Sequence, residues 1–174
     1  MMGGPELQGP SLTRGRPIAT ASITELLAAW RAAERRWERP ASPGQVHVAA
    51  LEVVRAWLAY QDAALGSVAT EFMLVADDDG AYVAATSGVE ACLGYHPESL
   101  VGMHIADLAA AELLETTPPQ WAAFLADGRQ DGRFRMRAID GRIVSLRYQA
   151  RAHHPVPGYH MSRLWLDDDN LNSS

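Results

Sequence analysis

The chain of 174 residues is long enough for one domain plus an appendage, and its 48% apolar content is that of a globular protein. All 15 basic residues are arginine, set against 21 acids, for a net charge of −6. The acid excess lies beyond residue 66, which argues against free DNA as a partner, because DNA affinity comes largely from basic contacts to phosphate.

No apolar run nears the roughly 20 residues of a membrane span. Gly, Pro and Gln interrupt the N-terminus, so no signal region is read there and the cytoplasm is the expected compartment. One cysteine, Cys92, rules out an internal disulfide framework.

Residues 1–20 mix Gly, Pro, Ser and Thr without a period and predict a flexible tail. Ser22-Ile-Thr-Glu25 is a capping box. Ile23, Leu26, Trp30, Ala33 and Trp37 then repeat at spacings of three and four, one stripe of an amphipathic helix that Pro40 ends. Ser42-Pro43-Gly44-Gln45 predicts a second capped helix running to about Leu65 and stopped by Gly66. Leu51, Val54, Leu58 and Leu65 line one side of it, with Trp57 beside them. The short connection folds residues 21–66 into an antiparallel helical hairpin. Its stripes can cover a sheet, form a dimer interface, or do both.

Phe72 to Ala76 is an apolar run, followed by the turn Asp77-Asp78-Asp79-Gly80 and a second run from Ala81 to Ala85, a hairpin signature. Ser87 to Gly102 reads as short helical turns broken by Gly94 and Pro97. Ile105 to Glu115 predicts a helix and a loop. Thr117 is read as the cap of a further helix with Pro118 at its first position, Trp121, Phe124 and Leu125 on its buried face and Gly128 at its end. A second hairpin turns at Asp140-Gly141. Phe134, Met136 and Ala138 alternate with Arg133, Arg135 and Arg137; Val144, Leu146, Tyr148 and Ala150 alternate with Ser145, Arg147, Gln149 and Arg151. Period two puts each set on one face of an antiparallel sheet.

The order of these elements, with Ala91-Cys92-Leu93-Gly94-Tyr95, then Pro97-Glu98-Ser99-Leu100-Val101-Gly102, then the hairpin at Asp140-Gly141, resembles the PAS sensory family. The closing Pro157-Gly158-Tyr159-His160-Met161-Ser162 is similar to the last-strand entry of PAS domains in bacterial regulators. The family's Asn-containing step after the second strand is replaced by Ala84-Ala85-Thr86-Ser87-Gly88. The resemblance implies an α+β PAS fold at 67–167, a five-stranded antiparallel sheet with short helices on one face, preceded by the hairpin and followed by a short acidic tail at 168–174. It implies signal input, by a small molecule or a protein partner, and the apolar stripes of the hairpin add the expectation of a homodimer. With few residues after the last strand, the output is expected on another chain.

PAS domains hold ligands between the sheet and the small helices. Cys92, Trp121, Leu125, Phe134, Met136, Leu146 and Tyr148 are therefore the candidate pocket wall, and the competing reading is a filled, ligand-free core that serves as an interaction scaffold. Haem is not expected, because the helix before the last hairpin has no histidine and His96 and His104 lie beside earlier turns. Flavin photochemistry is not expected, because His104-Ile-Ala-Asp-Leu-Ala109 has no cysteine where light-sensing relatives carry one. Cys92 reads as a small buried hydrophobe.

His153, His154 and His160 cluster in sequence, but with no acid or cysteine beside them no metal site is predicted. Ser162 near His160 lacks an oxyanion feature or orienting acid, and no phosphate loop is present, so no enzyme is predicted. Arg133, Arg135, Arg137, Arg147 and Arg151 form a row that is a solvated face, is paired with acids such as Glu34 and Glu38, or meets an acidic protein partner.

Overall fold

In a computed structural model of the protein the described residues are 21–40, 42–66 and 70–167. The predicted tails at 1–20 and 168–174 lie outside them. Asp77 organises the first hairpin: its Oδ1 accepts the backbone N–H groups of Asp79 at 3.1 Å and Ala81 at 2.9 Å. Gly80 closes the turn at φ +80°, a conformation that costs glycine little. The turn joins β1 (Glu71–Asp77) to β2 (Tyr82–Ala85). The Asp140-Gly141 turn joins β3 (Arg129–Arg137) to β4 (Ile143–Arg151), and β5 is Tyr159–Leu166. All pairings are antiparallel and the sheet order is β2-β1-β5-β4-β3.

Short helices cover the inner face: α3 (Gly88–Leu93), α4 (Ile105–Leu108) and α5 (Thr117–Asp127), with 3-10 turns at Pro97–Leu100 and Ala111–Leu113. Gly88 lets α3 lie against β1, since a Cβ there would stand 2.0 Å from the Glu71 carbonyl oxygen. Phe72, Leu74, Val89, Leu93, Leu100, Leu108, Met136 and Leu146 form the core of this side. The departure at Ala84–Gly88 is met by Thr86. Its buried Oγ1 accepts the Met73 N–H at 2.8 Å, and its own N–H donates to the Met73 carbonyl at 2.9 Å, extending the β1–β2 pairing by a side chain.

The N-terminal hairpin is α1 (Ile23–Glu38) and α2 (Val46–Leu65). The Ser22–Glu25 capping box is made on both sides. The second predicted box is not: Ser42 makes no side-chain cap, and Pro43–Gln45 is a 3-10 turn leading into α2. The cap of α5 likewise sits one residue earlier than predicted, at Thr116; Thr117 is inside the helix and its hydroxyl donates to the Leu113 carbonyl. In both places proline fixes the first turn, leaving the hydroxyl residue beside it to be placed by the preceding backbone.

Val53, Val54, Trp57 and Leu58 of α2 pack on Met73 and Val75 of β1 and on Val156 and Tyr159, and α1 packs on α2 through Ala33, Trp30 and Trp37. Trp30 stands on Tyr60 with ring centroids 5.5 Å apart. The α2 stripe read from the sequence is thus buried against the chain's own sheet, on the face opposite α3–α5, and the α1 stripe packs on α2. Among the described residues no helix is long and apolar enough to cross a membrane.

Candidate functional site

Strand register places Leu74 and Ala76 of β1, Phe134 and Met136 of β3, Tyr148 and Ala150 of β4, and His160, Ser162 and Leu164 of β5 on the inner face. With Trp121 and Phe124 of α5 above them they surround a cavity of about 80 Å³. Its polar lining is neutral: Thr117, Gln120, Gln130, Ser162, His160 and the Tyr82 and Tyr148 phenols. Gly132, directly across from Tyr148, makes room for that ring, since a Cβ there would touch it at 3.4 Å. Phe134 meets Tyr148 edge to face, 6.4 Å between centroids.

Of the predicted wall, Trp121, Phe134, Met136 and Tyr148 line the cavity. Cys92, Leu125 and Leu146 do not. Cys92 belongs to α3, which packs on β1. Leu125 follows Phe124 on α5 and so is turned about 100° from it. Leu146 is fully buried opposite Phe134, within the packed core. Burial pushes the Cys92 thiol up to about 11, which keeps it protonated near neutrality, as suits a small hydrophobe. Burial, with Asp107 nearby, also pushes the Tyr82 phenol up, and burial with Asp131 does the same to Tyr148, so both remain neutral donors and acceptors.

His160 is one of several lining residues outside the predicted wall, with Leu74, Ala76, Tyr82, Phe124 and Ser162 among the others. It lies in phase with Ser162 and Leu164, so the period-two argument applied to β3 and β4 would have found it on the inner face. Its ring meets Trp121 at 5.3 Å and Phe124 at 6.0 Å, both edge-on. Trp121 Nε1–H donates to the Asp78 carbonyl at 3.0 Å, tying α5 to the first hairpin turn.

An acid absent from the sequence neighbourhood of the histidines is present in space: Asp78, His153 and His160 offer donor atoms within 4.8 Å of one another. The hydrogen bonds oppose a cation there. His160 Nδ1 accepts the His153 backbone N–H at 3.1 Å, so Nε2 carries the proton and donates to Asp78 Oδ1 at 2.9 Å. A metal on Nε2 needs a lone pair there and a proton on Nδ1, which would face the His153 N–H. With both nitrogens engaged, neither serves as a base for Ser162.

The arginine row lies on the outer face and is partly paired, by acids other than those anticipated. Arg135 pairs with Glu112, and Arg133 Nε lies 2.9 Å from Asp167 Oδ2. Arg137 donates to the Asp107 carbonyl at 2.8 Å. Among the described residues Glu34 and Glu38 form no ion pair with these arginines.

No family model and no curated protein matches the sequence. Solved structures do. A PAS domain from Colwellia psychrerythraea is 18% identical, covering 63% of this chain and 96% of that one at a TM-score of 0.54. The PAS domain of an HTR-like protein from Haloarcula marismortui is 17% identical, covering 66% and 94% at 0.53. The PAS-B domain of Drosophila melanogaster Cycle, with bound ethylene glycol, is 14% identical, covering 55% and 99% at 0.50. Together with the strand order and the helices stacked on one face of the sheet, these likenesses establish that the chain folds as a PAS domain carrying an N-terminal helical hairpin.

Proposed function

We propose that this chain is a sensory module that binds a small neutral molecule in the cavity between the sheet and α5 and relays the event to a separate output protein. The observation that carries the reading is the lining: aromatic and aliphatic walls with amides, hydroxyls and a neutral imidazole, and no carboxylate or guanidinium. Burying an unpaired charge there would cost several kcal/mol at least, so the ligand is uncharged. A cavity of about 150 Å³ holds benzene, and the space here is about half that. The ligand therefore has a few heavy atoms, or it moves the Trp121 side of the wall on entry. His160 and Trp121 both touch the first hairpin turn, through Asp78, and give occupancy a route to β1 and the overlying α2.

The reading assigns the module to the cytoplasm, where the Cys92 thiol stays reduced, and to a homodimer. The small volume favours a second reading, a ligand-free scaffold for protein contacts. Native mass spectrometry of the purified protein, with a ligand-observed screen of small neutral fragments, separates the two. A retained mass, or a fragment that shifts the Trp121 indole resonance, supports the sensor. No bound mass and no response at Trp121 supports the scaffold.

A further inference from the structure

The outer face of the sheet is only half covered. α2 lies on β2, β1 and the near part of β5, whereas the outward side chains of β3 and β4 are exposed, Ser145 alone being partly covered, and most of them are arginine. Arg133 stands directly across from Arg147, and Arg129 across from Arg151. Like charges so placed destabilise a sheet. Arg133 has Asp167, but among the described residues no carboxylate lies within ion-pair reach of Arg129, Arg147 or Arg151.

Trp165 sits beside them. It pairs in register with Arg147 on one side and Glu71 on the other, which puts it on the same face. It is half-buried and belongs to neither apolar cluster. A tryptophan beside Arg147, with Arg163 two residues before it on the same face, has the composition of an interface, where Trp and Arg supply most of the binding energy.

We propose that this half-face, with Trp165 and Arg147 at one end and Arg151 and Arg129 at the other, is the docking site for an acidic segment of a partner protein. The inference rests on the partner-binding half of the proposed function and is independent of the cavity. The two arginine pairs are four residues apart along the strands, about 13 Å, and the face is three strands wide, about 10 Å. That footprint fits one short acidic segment with an apolar residue over Trp165. A polyphosphate track is a poorer fit, because Asp131 stands between Arg129 and Arg133 and Glu71 lies across from Trp165, so the arginines form separate pairs and no continuous basic track.

The test is fluorescence anisotropy on the full chain with a short fluorescein-labelled peptide of Glu and Asp around two central leucines. Its controls are the Gln/Asn counterpart and a single-stranded oligonucleotide of equal charge. The acidic peptide should bind roughly tenfold or more tightly than the neutral one, and the binding should fade with salt. Arg147→Ala with Arg151→Ala, both exposed, should weaken it about tenfold while leaving the fold intact by circular dichroism, and Trp165→Ala should weaken it similarly. Equal affinity for the two peptides, unchanged binding by the variants, or preference for the oligonucleotide would overturn the proposal. Bound mass in the cavity is read on the unmutated chain alongside peptide binding. Peptide binding with an empty cavity removes the sensor reading alone, and a loaded cavity without peptide binding removes the docking site alone.

Discussion

His160, near the start of the last strand, donates from Nε2 to Asp78 Oδ1 in the first hairpin turn, at 2.9 Å, across 82 positions of sequence. The imidazole is almost wholly buried while the carboxylate is mostly exposed. This one bond joins the two strands that meet at the middle of the sheet to the turn on which Trp121 also rests.

Burial holds the His160 imidazole below its ordinary value. His153 acts in the same direction, and the hydrogen bond and charge of Asp78 only partly offset them. His154 is lowered too, by burial and then by Arg151. As pH falls through the ordinary histidine value of about 6.5, the unfolded chain therefore takes up protons before the folded one does, and stability falls. Below the depressed folded values both states are protonated and the loss levels off. Thermal melts from about pH 7.5 to about pH 5 should show a falling midpoint, with a shallower slope for His160→Gln. Equal slopes for the two proteins would show that His160 does not contribute.

Thr86→Val keeps the size and branching of the side chain and removes the acceptor of a buried N–H. Met73 N–H would then be left without its 2.8 Å partner, at a cost of about 1–3 kcal/mol. Thr86→Ser should retain most of the stability. Urea unfolding of the three proteins measures this directly, and a Val variant as stable as the parent would mean that the Met73 N–H has found another acceptor.

Ala150→Leu adds three carbons to a residue that lines the cavity. The added carbons should occupy the free space, leaving the melting temperature level or higher while bound mass is lost. A destabilisation of about 1–3 kcal/mol would instead report overpacking and favour the scaffold reading.

Trp57 is buried between α2 and the sheet, with its ring edge-on to His154 at 5.0 Å. Trp57→Ala should cost about 3–5 kcal/mol. A fragment of residues 67–174 would uncover Met73, Val75, Val156 and Tyr159 and should self-associate in analytical ultracentrifugation. A monomeric fragment with the parent's melting curve would show that the hairpin adds nothing to the domain.

Local pattern alone determined a good deal of this protein. The two Asp-Gly turns, the Ser22–Glu25 box, the stop at Gly66 and the two faces of β3 and β4 were all legible, because each depends on residues a few positions apart. So was the PAS likeness, carried by Leu93-Gly94-Tyr95 and the Pro97–Gly102 run. Of the wall that this likeness implied, Trp121, Phe134, Met136 and Tyr148 border the cavity.

Other features depended on contacts distant in sequence. Asp78 and His160 are joined only because β1 and β5 are neighbours at the centre of the sheet. Arg135 takes Glu112 and Arg133 takes Asp167, while Glu34 and Glu38 belong to a helix that packs on α2 and, among the described residues, form no ion pair with the sheet's arginines. Cys92, Leu125 and Leu146 have the composition of a pocket wall and still fall outside it, because hydrophobicity selects residues for burial without deciding which of them border the space left unfilled. That selection was made by the packing of α5 over β3, β4 and β5.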